Sequence, residues 1–136
     1  MFLQILVSAA ALTFAPARAP AIANPQLHAL EQAVIQRMNA ERAKNGLAAL
    51  ATDMWLVRSA RRHTAWMANN HSLTHTTAAV GENIAMGQTT SPEVVRDWMN
   101  SPGHRANILN GGYTRVGAAA YSASDGRVYW CLQFLN

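Results

Sequence analysis

Cysteine is nearly absent from this chain: Cys131 is the single one. No internal disulfide can form, so the fold must be held by its core alone. Charge is scarce too, with 13% of the 136 residues charged and a formal net charge of +4. The arginines are scattered, and Arg61-Arg62 is the one adjacent pair. No basic block is present that would follow a phosphate backbone, so nucleic acid is not an expected partner. Repeats, low-complexity tracts and linkers are also missing, and no apolar run in the body of the chain is long enough to span a membrane. What is there is hydrophobic material, 50% of the residues, in a chain of single-domain length. Such a chain can bury a real core.

Residues 1–23 read as a secretory signal peptide. Phe2 to Phe14 is mostly apolar but too short for a comfortable span, and Ala21-Ile22-Ala23 gives an A-x-A cleavage site before Asn24. Ala17-Arg18-Ala19 is a second candidate, disfavoured by Pro20. No Lys or Arg precedes the apolar run, so an unusual apolar N-terminal arm is the alternative. Cleavage would leave one domain, 24–136, in a secreted or periplasmic setting. Removal of Arg18 takes the formal charge from +4 to +3. A weakly basic surface of this kind could favour anionic envelope lipids or polymers.

Pro25 to Asn45 reads as the first helix, with Leu27, Leu30, Val34 and Met38 on one face and Asn45-Gly46 as its stop. Thr52 or Asp53 caps a second helix running to about Asn69. One stripe of that helix carries Leu56, Ala60, His63 and Met67, and another carries Trp55, Ser59, Arg62 and Trp66. His63 on an apolar stripe suits a hydrogen-bonded core histidine better than a ligand. Residues 70–80 are polar and irregular, with His71 and His75 among them. Gly81 to Gly87 brackets a short strand whose Glu82 would be drawn inward. Ser91-Pro92-Glu93 opens a third helix, with Ser91 as the expected cap.

Arg115–Ser122 and Arg127–Phe134 form a hairpin, and Asp125-Gly126 predicts a type I′ turn. Val128, Trp130, Leu132 and Phe134 line one face of the second strand, while Tyr129, Cys131 and Leu135 keep the other largely apolar. A sheet apolar on both faces is covered on both faces. The expected class is therefore α+β, a three-layer α–β–α sandwich around a small antiparallel sheet. Cys131, at a strand position, reads as a small buried hydrophobe rather than a nucleophile.

Thirteen residues, Trp98 to Asn110 (WMNSPGHRANILN), concentrate unlike chemistry. Pro102-Gly103 breaks the preceding helix, and His104 and Arg105 follow between the apolar anchors Trp98-Met99 and Ile108-Leu109. A helix corner with a satisfied histidine accounts for these residues as well as a functional site does. Arg105 reads first as a loop brace, although it could clamp an anion. Ser101 lies three residues from His104, but no third group is evident to orient that histidine.

These segments together resemble the CAP superfamily (cysteine-rich secretory proteins, antigen five, pathogenesis-related proteins), in its short bacterial SCP-domain form. The resemblance rests, in order, on MNAERAKNGLAAL (Met38 to Leu50), His63 to Met67 with Leu73-Thr74-His75, GENIA (Gly81 to Ala85), W-x-x-S-P-G-H-R-x-N-I-L (Trp98 to Leu109), Val116-Gly117 and Gln133-Phe134. It implies an α–β–α sandwich with a shallow cleft lined by two histidines and two acidic residues. His75, Glu82 and His104 match three of the four. The fourth position falls near Ser101, where this chain has no carboxylate, and Glu93 and Asp97 do not align with it. The family's disulfides are absent, and the loop from Thr76 to Val80 is short.

The resemblance thus implies a site in which His75, Glu82 and His104 could hold a divalent cation such as zinc, with Ser101, Arg105 and Asn83 around the cleft. Two functions follow from it. One is a secreted, monomeric binding module for a lipid or cell-envelope component. The other is a metal-assisted, peptidase-like hydrolase using Glu82 as base or ligand.

Overall fold

The structure, a computed structural model, describes residues 26–136, so the expected signal peptide 1–23 lies outside the described residues. In chain order the elements are α1 (Ala29–Lys44), β1 (Ala51–Thr52), α2 (Met54–Asn70), β2 (Gly81–Met86), α3 (Ser91–Met99), α4 (Pro102–Ile108), β3 (Arg115–Ser122) and β4 (Val128–Leu135). The four strands lie in the order β1-β3-β4-β2. β2, β4 and β3 are antiparallel neighbours, and β1 adds to β3 in parallel. The sheet is therefore mixed at one margin rather than wholly antiparallel. The parallel pair is a brief one, with Ala51 N–H donating to Thr114 O and Asp53 N–H to Val116 O.

Strand periodicity divides the core. Val116, Ala118, Trp130, Leu132 and Phe134 turn to the side of α1, α3 and α4 and pack with Val34, Ile35, Met38, Val94, Val95, Trp98 and Ile108. Ile84, Ala119, Tyr129 and Cys131 turn to the other side and pack against Ala60, Met67 and Ala68 of α2. This is the expected α–β–α sandwich. Gly117 faces α2 so closely that an added Cβ would fall on the backbone of Leu56 and Val57, which requires glycine there.

Several local expectations change. α1 buries Val34, Ile35 and Met38, but Leu30 is 45% exposed, and the buried face ends in charges, Glu31 and Arg42. Glu31 receives two hydrogen bonds of 2.7 Å from Arg61 of α2, tying helices across the sheet. Arg42 donates to Ala48 O, Ile108 O and Asn110 O, so it pins the far end of α4. Asn39 brackets the Leu50 backbone through both its amide atoms. Thr90, not Ser91, caps α3, because its side chain accepts from Glu93 N. The hairpin turn is not type I′: Asp125 lacks the positive φ that type requires, while Gly126 has φ +84°. Gly126 N–H bonds to Ala123 O and Ala123 N–H to Arg127 O, the pattern of a three-residue loop with a glycine bulge.

β2 is a margin strand. Gly87 N–H donates to Val128 O, so by alternation residues 82, 84 and 86 turn their backbone groups outward. Trp98 Nε1 donates to Ile84 O at 3.1 Å, and Asn107 Nδ2 to Glu82 O at 3.2 Å. Pro102 starts α4 within its first turn, so His104 stands on a short helix rather than on an irregular break.

Candidate functional site

Glu82 sits at the second position of β2 and points to the α2 side, beside Gln133 and Cys131 of β4. A buried carboxylate needs compensation, and Glu82 has four donors. Oε1 accepts from His75 Nδ1 at 2.8 Å and Thr76 N–H at 2.9 Å. Oε2 accepts from Gln133 Nε2 at 3.0 Å and the Cys131 thiol at 3.5 Å. His75 comes from the loop after α2, and its side chain is 62% exposed against 4% for Glu82. The carboxylate thus holds one imidazole nitrogen and leaves Nε2 of His75 turned away from it, the tautomer a carboxylate acceptor imposes.

His104 is carried by the first turn of α4. Asn83, fully buried on the opposite face of β2, donates to His104 O at 3.0 Å and accepts from Asn107 Nδ2 at 2.9 Å. Asn83 therefore fixes the position of α4 on the strand. Burial, and then the charge of His75, push the His104 imidazole below its usual value of 6.5. The two histidines lie within electrostatic reach of each other. Ser101 caps α4 without a side-chain bond, its carbonyl accepting from Arg105 N–H at 2.8 Å. The Arg105 side chain is exposed and has no partner among the described residues.

Sequence reasoning left His63 in the core, and the structure gives it more to do. Its Nε2 donates to Thr74 O at 2.6 Å and lies 4.0 Å from Glu82 Oε2. Its ring stacks on Trp66, centroids 6.0 Å apart. His63, Trp66 and Thr74 to Thr77, His75 included, line an open groove of about 300 Å³. The i, i+3 spacing of His63 and Trp66 was the one available signal. Gln133 and Cys131 gave none, because their approach to Glu82 depends on strand register. Burial, then the Glu82 charge, push the Cys131 thiol well above its usual range, so it stays protonated.

Among the described residues, no three His, Cys, Asp or Glu side chains form a group that could hold a metal ion. Both Glu82 oxygens are engaged, so Nε2 of His75 and Nδ1 of His63 are the imidazole nitrogens left at the groove, and His104 stands on α4 within electrostatic reach of His75.

The model of the family described as cysteine-rich secretory proteins (CAP) matches residues 35–134. The chain is 36% identical over 125 residues to the uncharacterized protein YkwD of Bacillus subtilis, a match covering 79% of this chain and 48% of that one. It thus spans about half the length of that relative. Among solved structures it resembles an outer surface protein of Borrelia burgdorferi, with TM-score 0.68, 21% identity, and coverage of 74% of this chain and 87% of that one. It also resembles NaASP2, a structure described with Zn2+, with TM-score 0.66, 13% identity, and coverage of 77% and 78%. These two likenesses are of fold. Most of the described chain falls within the family match, and on that ground the chain belongs to the cysteine-rich secretory protein (CAP) family.

Proposed function

We propose that the chain is an exported binding module whose cleft takes a divalent cation such as zinc on His75 and His104, together with a lipid or cell-envelope ligand. The observation that carries this reading is the saturation of Glu82. Four donors converge on its two oxygens, so the carboxylate serves as an anchor for His75 and not as a free base. No nucleophile competes: Cys131 is buried and protonated, and Ser101 has no hydrogen bond to either histidine.

The donor set suits a cation through its imidazoles, since a histidine ligand held through its other nitrogen by a carboxylate is the usual arrangement around zinc. Water or the ligand would complete the coordination, and the cation would supply a Lewis-acidic point for a ligand oxygen. The NaASP2 likeness, with zinc in its description, supports the same direction. Export is supported by the A-x-A leader and by the outer-surface description of the Borrelia burgdorferi protein. Among the described residues no helix is long and apolar enough to cross a membrane. The hydrolase reading draws on the same pair, because a carboxylate-held imidazole is also the arrangement of a general base.

Zinc calorimetry on chelator-free protein tests this. Binding abolished by His75→Ala and by His104→Ala, and retained by His28→Ala and His71→Ala, is the expected result. Binding that neither site substitution changes would overturn the assignment. Turnover of a peptide or ester by the zinc-loaded protein would replace the binding module with the hydrolase.

A further inference from the structure

The outer face of α2 carries chemistry that the core does not use, and only Trp66 at its end also borders the groove. Trp55 is 52% exposed and Trp66 47% exposed, each a large apolar ring half in water. Eleven residues make about three turns of helix, so the two tryptophans sit on one line of α2, their backbone positions about 16 Å apart along the axis. Arg58 and Arg62 are exposed between them on the same side. α2 contains no Asp or Glu. Neither guanidinium has a carboxylate partner among the described residues. The face is thus an unneutralised pair of cations flanked by two indoles, on a helix whose opposite side is locked into the sheet by Leu56, Ala60 and Met67.

We propose that this face docks on an anionic lipid bilayer, with α2 lying in the plane of the headgroups. The charge selects the sign of the partner, and the indoles select its layering. A tryptophan ring with one apolar body and one N–H donor is best satisfied at headgroup depth, where both can be met at once. Guanidinium groups beside it meet lipid phosphates in forked hydrogen bonds. A helix lying flat presents both sets together, which is the geometry of interfacial helices. A soluble polyanion would use the arginines but would leave the indoles in water. Trp66 also walls the His63–His75 groove, so a docked α2 would bring that groove to the lipid surface. The docking does not depend on the cleft's ligand or on a metal.

The test is co-sedimentation of the full chain with vesicles of phosphatidylglycerol and phosphatidylcholine, against vesicles of phosphatidylcholine alone. Binding to the anionic vesicles, with quenching of tryptophan emission by brominated lipid, is expected. The double variant Arg58→Gln/Arg62→Gln should weaken it about 30-fold at low salt, and Trp55→Ala should weaken it at every salt concentration. Arg37→Gln/Arg96→Gln removes the same charge from exposed positions on α1 and α3 and should leave most of the binding. His75→Ala and His104→Ala should not change it, which separates this proposal from the cleft. Equal losses in the two double variants would overturn it in favour of net charge alone. Loss with the arginine pair but none with Trp55→Ala, alongside equal binding to soluble polyphosphate, would overturn the bilayer in favour of a polyanion. Equal binding to both vesicle types would also overturn it.

Discussion

His75 Nδ1 and the Thr76 N–H share one acceptor, Oε1 of Glu82, at 2.8 and 2.9 Å. A loop and a strand are joined there through a single buried oxygen. Glu82→Gln would put an amide where four donors already point, two on each oxygen, so the two that meet its NH2 group would face another donor. The expected cost is about 1–3 kcal/mol of stability, the usual range for an unsatisfied buried group. Zinc affinity should fall about 10–100-fold as His75 loses its orientation. Denaturant unfolding and calorimetry on the same variant check both, and unchanged zinc affinity would show that Glu82 does not orient the ligand.

Acid should destabilise the fold through His104. Its folded pKa is depressed, by burial first and by His75 second, so the folded state favours the neutral ring. The unfolded chain then binds more protons in the window between the depressed value and about 6.5. The contribution is fully present above the unfolded value and is lost as pH falls through the folded one. Urea midpoints at pH 7.5 and 5 should therefore differ, and His104→Gln should reduce the difference.

Trp98 is 1% exposed and fills the core between α3 and the sheet. Trp98→Ala should cost about 3–5 kcal/mol. Trp98→Phe keeps much of the volume but loses the bond to Ile84 O, so its loss should be smaller. A melting temperature that Trp98→Ala barely moves would contradict the packing described.

Gly117→Ala should destabilise by about 1–3 kcal/mol or more, because the new methyl meets helix backbone, which cannot step aside as a side chain can. Gly103→Ala meets nothing within 4 Å and should be tolerated. Thermal melts of the two variants side by side give the comparison.

The elements that were legible in the sequence carry their signals locally. Gly81 to Gly87, the helix opened by Pro92 and the alternation of Val128 to Phe134 can each be read from a few neighbouring residues. The buried face of α1 could not be read this way. Glu31 and Arg42 occupy it, and their partners are 30 and 66 residues away. Local hydropathy therefore shifted the face toward Leu30. Asp125-Gly126 suggested the tighter turn, although glycine in the bulge position satisfies the same dipeptide. β1, at two residues, is shorter than any periodicity. At the cleft, His75 and Glu82 stood out by resemblance. Gln133 and Cys131 became partners of Glu82 only once register placed β4 beside β2.

A strand at the margin of a sheet ordinarily invites a second chain, because its outward carbonyls are open acceptors. On β2 two of those acceptors are already filled, by the indole of Trp98 and the amide of Asn107. Both belong to the thirteen-residue stretch that also delivers His104. They act as chain stoppers: an incoming strand would have to pull a buried tryptophan out of the core before it could pair. At the other margin β1 offers two residues, too few to template growth. The stretch that carries His104 therefore also limits the sheet to its own strands, and a variant that loosens Trp98 should show strand-mediated self-association as well as lower stability.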